Sequence, residues 1–438
     1  MKLLVAALAL PAVLAAQTPA DTVARPITVD EAVALAQRNA PTVVQSLGQV
    51  QTSRAQVRSA YGAFIPSLTL SASSSRSGGA GVSSQRVDPN TGALVDVSGS
   101  AWRYANGVQL NVDLFDGGAR INNLRSSRAG VTAAVANDVS ERFAIALQVK
   151  QQYYAVLAAR EADSAARTQL AEAEAQLRAS TLKLHAGSAT KSDSLRSVIQ
   201  VGNAQLALLT ARNDLQTANA TLTRLVGTPY TVTAAAEPPG ELFQPLDSIA
   251  LERLAANGPA VRLALANESA ASAASRAARG SYFPTLSAGF GVSGNGTAID
   301  RYEYQNQFRI GLSWPVFNQF SRELQIARAD VAERNAEASL RDARLLARQN
   351  LVQYLGAIRT AQQQVTIQTT SVTAAEEDLR VQRQRYDLGA STLLDVLTSE
   401  TALIQARAAL IQARFDYRVA KAQLEALLGQ PLPPSGAK

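Results

Sequence analysis

The chain has 438 residues, 42 Lys plus Arg against 35 Asp plus Glu, a net charge of +7, one histidine and no cysteine. The missing cysteine removes disulfides, thiol catalysis, cysteine zinc sites and a lipidated N-terminal cysteine, and the lone His185 leaves no histidine metal cluster. Aromatics make up 5% of residues, too few for several ordinary globular cores, and the basic residues are spread without a compact patch, which disfavours nucleic-acid binding.

Met1-Lys2 precedes the apolar run LLVAALALPAVLAA. A short basic start, an apolar segment and small residues at its end predict a signal peptide over 1–16, cleaved after Ala15 or Ala16. No later run of eighteen apolar residues exists, which excludes an inner-membrane helical protein. A polar linker, 17–28, leads to a helix from Val29, with Asp30 as its expected N-cap. Asn39-Ala40-Pro41 marks a second helix with proline in its first turn. That helix ends near Phe64-Ile65-Pro66.

The texture then changes. Residues 67–76 and 107–115 alternate apolar and polar, and so do 285–292 and 308–315. Period-two patterns with turn-rich connections, such as DPNTG at 88–92, read as two β-hairpins. The region within 71–106 reads as a long extracellular loop, and GVSGNG at 291–296 as a flexible strand-end loop. Fourteen of the 23 aromatics fall in 60–118 and 282–320. Trp102, Tyr104, Phe115, Tyr282, Phe283, Trp314 and Phe317 sit near strand ends, where outer-membrane barrels carry interfacial girdles.

From Ala119 to His185 the chain has no proline and one glycine, Gly130. It breaks at HAGSAT and runs again from Lys191 to Val226 before Gly227. The pattern predicts a long helical hairpin, its first helix roughly 100 Å in length. His185 reads as a helix-terminal residue rather than a ligand.

The whole arrangement occurs twice. A shift of 202 places Arg120 on Arg322, Gly187 on Gly389, Asp193 on Asp395 and Gly227 on Gly429, while a shift of 218 places Pro41 on Pro259 and Pro66 on Pro284. Leu403, Leu410, Tyr417 and Leu424 step by seven beside Ala406, Ala413, Ala420 and Leu427. Val201, Leu208, Leu215 and Leu222 beside Ala204, Ala211, Ala218 and Leu225 keep the same register in the first copy. Such heptads with small flanking residues predict close coiled-coil packing. The repeats span about 29–227 and 247–429, joined by a linker at 228–246 and followed by a tail at 430–438.

Four strands cannot close a membrane barrel, for which about eight is the minimum, and open edges do not survive in lipid. Several subunits must therefore contribute, and three would give twelve strands. LFDGGAR at 114–120, WPVFNQFSR at 314–322, the FIP and YFP corners at Pro66 and Pro284, and YDLGASTLLDVL at 386–397 together resemble the TolC-type outer membrane efflux protein family across nearly the whole mature chain. The resemblance implies a mostly α, α+β homotrimer: a twelve-stranded β-barrel in outer-membrane lipid, continued by a twelve-helix periplasmic α-barrel. It further implies the exit duct of a tripartite efflux pump or type I secretion system. Partners would be a periplasmic adaptor and an inner-membrane transporter of RND, ABC or MFS type; no cofactor is expected.

Residue roles follow from the same resemblance. Gly187 and Gly389 correspond to adaptor-contacting tips at the closed periplasmic entrance. Asp395 matches an inward aspartate ring, where three carboxylates would favour cations and raise one another's pKa. Its alternative is a solvated or N-capping aspartate. A second ring residue one turn later is replaced by Thr398. Tyr386 and Asp193 match an entrance latch whose arginine is replaced by Ser391.

Two other classes compete. A periplasmic coiled-coil adaptor or scaffold would also be exported and Ala/Leu/Gln-rich, but would pair its hairpin with a separate β domain instead of duplicating the whole unit. An enzyme would need a constellation of catalytic groups, and none is present in the sequence.

Overall fold

Absence of proline over 119–185 and 191–226 is matched by two unbroken helices in the computed structural model, which describes residues 24–76, 84–88, 91–97, 102–187, 190–236 and 248–432. The signal segment 1–16, much of the linker 17–28, residues 237–247 of the inter-repeat linker and 433–438 of the tail lie outside the described residues. The first copy runs β1 Arg25–Ile27, α1 Val29–Asn39, α2 Pro41–Gly62, β2 Ser67–Arg76, β3 Ser84–Val87, β4 Leu94–Val97, β5 Trp102–Phe115, α3 Ala119–His185 and α4 Lys191–Val226. β6 Val232–Ala234 follows. The second copy runs α5 Ser248–Ala255, α6 Pro259–Arg279, β7 Thr285–Ala298, β8 Arg301–Ser313, α7 Ser321–Asp387 and α8 Leu393–Leu428. Ala119 and Ser321, His185 and Asp387, Lys191 and Leu393, and Val226 and Leu428 are each 202 residues apart, so both hairpins begin and end at matched positions.

The described residues fall into two units. One takes the chain up to Gln45 with Asp138–Ala260 and from Leu345 onward; the other takes Ser46–Asn137 and Val261–Arg344. In the first unit, Leu403, Leu410, Tyr417 and Leu424 of α8 are buried with Ala406, Ala413 and Ala420, as the heptad pattern demands. The α4 stripe buries Ala204, Leu208 and Leu222. One core gathers Ala32, Ala36, Val43, Val149, Tyr153, Val156, Leu222 and Val226. A second gathers Leu251, Leu351, Ile358, Tyr417, Leu424 and Leu428, with Val156 and Ile358, and Leu222 and Leu424, in equivalent places.

Both linkers carry structure that their composition hides. β1 and β6 pair in parallel, Pro26 opposite Thr233. The fully buried Tyr153 donates its hydroxyl to Ile27 O at 3.2 Å and Ala235 O at 3.3 Å, and Arg160 donates to Ala234 O at 3.0 Å. These bonds hold the small sheet on α3. The N-cap of α1 is Thr28, whose hydroxyl accepts from Glu31 N at 3.2 Å; the expected cap, Asp30, lies in the first turn, where its charge suits the helix dipole.

The second unit holds a four-stranded antiparallel sheet of order β2-β5-β7-β8. Its strands outrun the sequence estimates, with β5 starting at Trp102, β7 reaching Ala298 and β8 spanning Arg301–Ser313. Trp314 therefore stands just past a strand. The glycine run at 291–296 is strand rather than loop, because β7 stays paired with β5 up to Gly296. The residues within 71–106 include a second hairpin, β3 with β4, closed by the Gly92 N–H donating to Asp88 O at 2.9 Å. The corresponding connection in the second copy is a tight turn, which accounts for the two shifts.

Candidate functional site

The sheet separates two chemistries. Cross-strand partners share a face, and the register aligns Thr69, Gln109, Gly291 and Gln307 on one side, and Leu68, Leu110, Phe290 and Phe308 on the other. The first face continues through Ser71, Asn111, Ser287 and Arg309; the second through Leu70, Val108, Ile310 and Leu312. Leu70 is 78% exposed and Leu312 71%, so within one chain this apolar face is bare. β2 and β8 form the two sheet edges.

Aromatics mark both ends of the apolar face. At one end Trp102 stacks on Tyr104 with centroids 6.2 Å apart, and Tyr302 meets Tyr304 at 6.1 Å. At the other end stand Phe115, Tyr282, Phe283, Trp314 and Phe317, all exposed, with Phe320 edge-on to Phe317. A bulge between Asp113 and Phe115 pairs Phe115 with Leu286, which turns the aromatic onto the apolar side. Tyr302, Tyr304 and Phe320 were not among the aromatics singled out in the sequence. The register of β8 puts Tyr302 and Tyr304 at their end, and the turn before α7 brings Phe320 to the other.

The helix–strand corners at Pro66 and Pro284 are held by matching arginines. Arg120 lies 5.3 Å from the Phe64 ring centroid and donates to Ala63 O; Arg322 lies 4.4 Å from that of Tyr282 and donates to Pro315 O. Phe64 and Tyr282 are related by the shift of 218, and the arginines by 202. Both coincidences were visible in the sequence, but not the stacking. Gly117 has φ 67° and its missing Cβ would lie 2.5 Å from Gly280 O and Phe283 Cβ, so only glycine fits. The second copy puts Gln319 and Phe320, at φ 57° and 60°, where the first has Gly117 and Gly118.

The hairpin tips carry Gly187 and Gly389 at φ 72° and 71°, the left-handed turn that reverses each helix pair. Thr190 and Asp193 form a reciprocal capping box on α4, and Thr392 and Asp395 an identical one on α8. Asp395 Oδ2 accepts from Thr392 N at 2.8 Å and from its hydroxyl at 2.7 Å, which holds the carboxyl below its ordinary pKa. Within one chain the shift thus runs opposite to the rise expected of a carboxylate ring. Ser391 donates to Gln382 O at 3.3 Å.

Tyr386 and Asp193 line one open groove with Lys183, Asp387 and Thr392. Lys183 Nζ lies 4.2 Å from the Tyr386 ring centroid and 2.9 Å from Asp387 Oδ1. Burial raises the phenol's pKa; Lys183 opposes this, and Asp193 and Asp387 add to it. Sequence reasoning missed Lys183. It also missed Glu400, which is 5% exposed and raised in pKa by burial, against the opposing charge of Arg383 and with that of Glu172. Arg383 donates to Glu172 at 3.0 Å. Among the described residues no His, Asp and Glu cluster suits a metal, and no helix is long and apolar enough to cross a membrane.

The model of the outer membrane efflux protein family matches residues 32–228 and 250–430, most of both copies. The chain belongs to that family. Outer membrane efflux protein BepC of Brucella suis biovar 1 is 25% identical over 72% of this chain and 69% of its own. Pyoverdine export outer membrane protein OpmQ of Pseudomonas aeruginosa is 28% identical over 74% of this chain and 70% of its own. The crystal structure of the outer membrane protein VceC from Vibrio cholerae superposes with a TM-score of 0.75 at 17% identity, covering 92% of this chain and 96% of that one. The chain is thus an outer membrane efflux channel with a TolC-like, mostly helical fold. The family consists of channels rather than enzymes, and its match across both copies displaces the scaffold alternative.

Proposed function

We propose that this efflux channel works as a homotrimer in which three four-stranded sheets close into a twelve-stranded barrel, continued by a twelve-helix periplasmic tunnel. The supporting observation is the sheet itself, with one polar face, one bare apolar face and two unpaired edges, β2 and β8. Open edges and exposed Leu70 and Leu312 are costly in water and open edges are costly in lipid, so β8 of one copy pairs with β2 of the next. The apolar face then meets lipid and the polar face lines the duct. Trp102 and Tyr104 sit at one interface, with Phe115, Tyr282, Phe283, Trp314 and Phe317 at the other.

In this reading residues 1–16 direct export, and the tunnel accepts substrates from a periplasmic adaptor and an inner-membrane transporter of a tripartite pump or type I secretion system. Gly187 and Gly389 mark the adaptor-contacting tips. Tyr386 and Asp193 latch the entrance, with Lys183 in place of the family's arginine, and Asp395 supplies its carboxylate ring. Charge reversal beside Gly187 or Gly389 is expected to abolish adaptor crosslinking while leaving assembly intact; persistent crosslinking would contradict the tip assignment.

Because the chain lacks cysteine, the seam can be tested cleanly. Thr69→Cys combined with cysteine at each polar-face position of β8, from Arg301 to Ser313, in turn should, at the correct register, oxidise to a covalent trimer. A covalent species that stops at dimer, or none at any register, would contradict the closed ring.

A further inference from the structure

We propose that Arg309 forms a three-guanidinium belt inside the barrel that binds carboxylate- or phosphate-bearing solutes in transit. The inference rests on the trimeric barrel proposed above and goes beyond it. Arg309 lies on the polar face of β8, eight residues from its start at Arg301 and four from its end at Ser313. Its cross-strand partner is Gly289, which is followed across the sheet by Asn111. Gly291 and Gly311 flank it on the same face. These glycines leave the guanidinium space to reach into the duct, where a hollow is lined by Ser71, Asn111, Gly289, Gly291, Gln307 and Arg309. Its side-chain hydrogen bond to Gln307 Oε1 is long, at 3.5 Å.

Among the described residues no carboxylate lies beside it in the sheet register. The polar face of β2, which would lie across the seam, carries Ser67, Thr69, Ser71, Ser73 and Ser75. Wherever Arg309 lies opposite β2, it therefore meets only hydroxyls from that side. Glu303 is six residues up the same strand, about 20 Å away. Asp113 pairs with Ser287 and is two strands removed. Three uncompensated guanidiniums at one depth would concentrate anions there, and each presents a planar fork matched to carboxylate or phosphate oxygens. The belt opposes in sign the aspartates at Asp395. A polyanion can reach it from the extracellular mouth without passing the entrance.

The test adds tripolyphosphate to the extracellular side of single channels at fixed ionic strength, with the oligomer mass of each preparation measured. In the unaltered protein tripolyphosphate should reduce the current. Arg309→Gln should raise the half-blocking concentration by about tenfold or more, the loss of one charge-assisted anion contact. Arg309→Lys, which keeps the charge but loses the fork, should fall between them. Gly311→Asp places a carboxylate beside Arg309 where an added Cβ has room, its nearest neighbour being Ser287 Oγ at 3.6 Å, and should relieve block without altering Arg309. It decides the matter should Arg309→Gln not assemble. Conducting trimers blocked at one concentration with and without these changes would overturn the belt alone. An unaltered protein that gives neither trimer nor current would overturn the barrel, and the belt with it.

Discussion

Asp116 Oδ2 accepts both the backbone N–H of Arg120, at 2.8 Å, and its Nε, at 3.0 Å. Strand β5 thus hands over to α3 through one carboxylate, while its guanidinium lies over Phe64. The second copy keeps only the backbone bond, Asn318 Oδ1 accepting from Arg322 N at 3.4 Å, while Arg322 Nε donates to Glu323 Oε1 at 3.2 Å. Asp116→Ala should destabilise this corner by about 1–3 kcal/mol, and Asp116→Asn by less. Amide exchange across residues 118–122 would report both.

Gly117 and Gly187 share a left-handed backbone but not their surroundings. Ala at Gly187 meets nothing within 4 Å and carries only the conformational penalty, about 1–2 kcal/mol. Ala at Gly117 also collides with Gly280 O and Phe283, so its loss in thermal stability should be the larger. Gln319→Gly, in a left-handed position that glycine suits, should stabilise by up to about 1 kcal/mol.

Asp395 both caps a helix and offers a charge, and two variants separate these. Thr392→Ala should destabilise the tip by about 1 kcal/mol yet keep block by multivalent cations. Asp395→Asn should keep a side-chain acceptor for the cap and lose the block. Because the folded pKa is lowered, the capping contribution is present above the unfolded value, near 3.8, and fades as pH falls through the folded one. Cation block that survives in Asp395→Asn would remove this residue from the pore.

Glu400 has the opposite sign. Its folded pKa is raised, so the folded state holds the proton more tightly, and stability falls as pH rises from about the unfolded value of 4.5 through the folded one. Glu400→Gln should flatten that decline and raise the melting temperature at pH 7 more than at pH 4. Parallel melting curves for the two proteins would contradict the assignment.

Helix limits were legible because proline, glycine and the heptads act locally: α3 and α4 end at the glycines that the sequence marks. Strand existence was legible from period two, but strand ends were not, since β7 and β8 extend by pairing with each other past any change in composition. β1 and β6 were hidden because three-residue strands show no period and their partner lies some two hundred residues away. Asp30 yielded the cap to Thr28 because a cap is fixed by backbone geometry as much as by residue type. At the tip, Asp193 and Asp395 were visible as a repeated pair. Lys183 beside Tyr386, and Glu400 between Arg383 and Glu172, depend on how separate helices pack and left no mark on either helix alone.

The most direct measurement is planar-bilayer conductance of the detergent-solubilised protein, with the oligomer mass of the same preparation. A trimer giving small, ohmic, cation-selective openings is the predicted result. A monomer that never inserts would contradict the account.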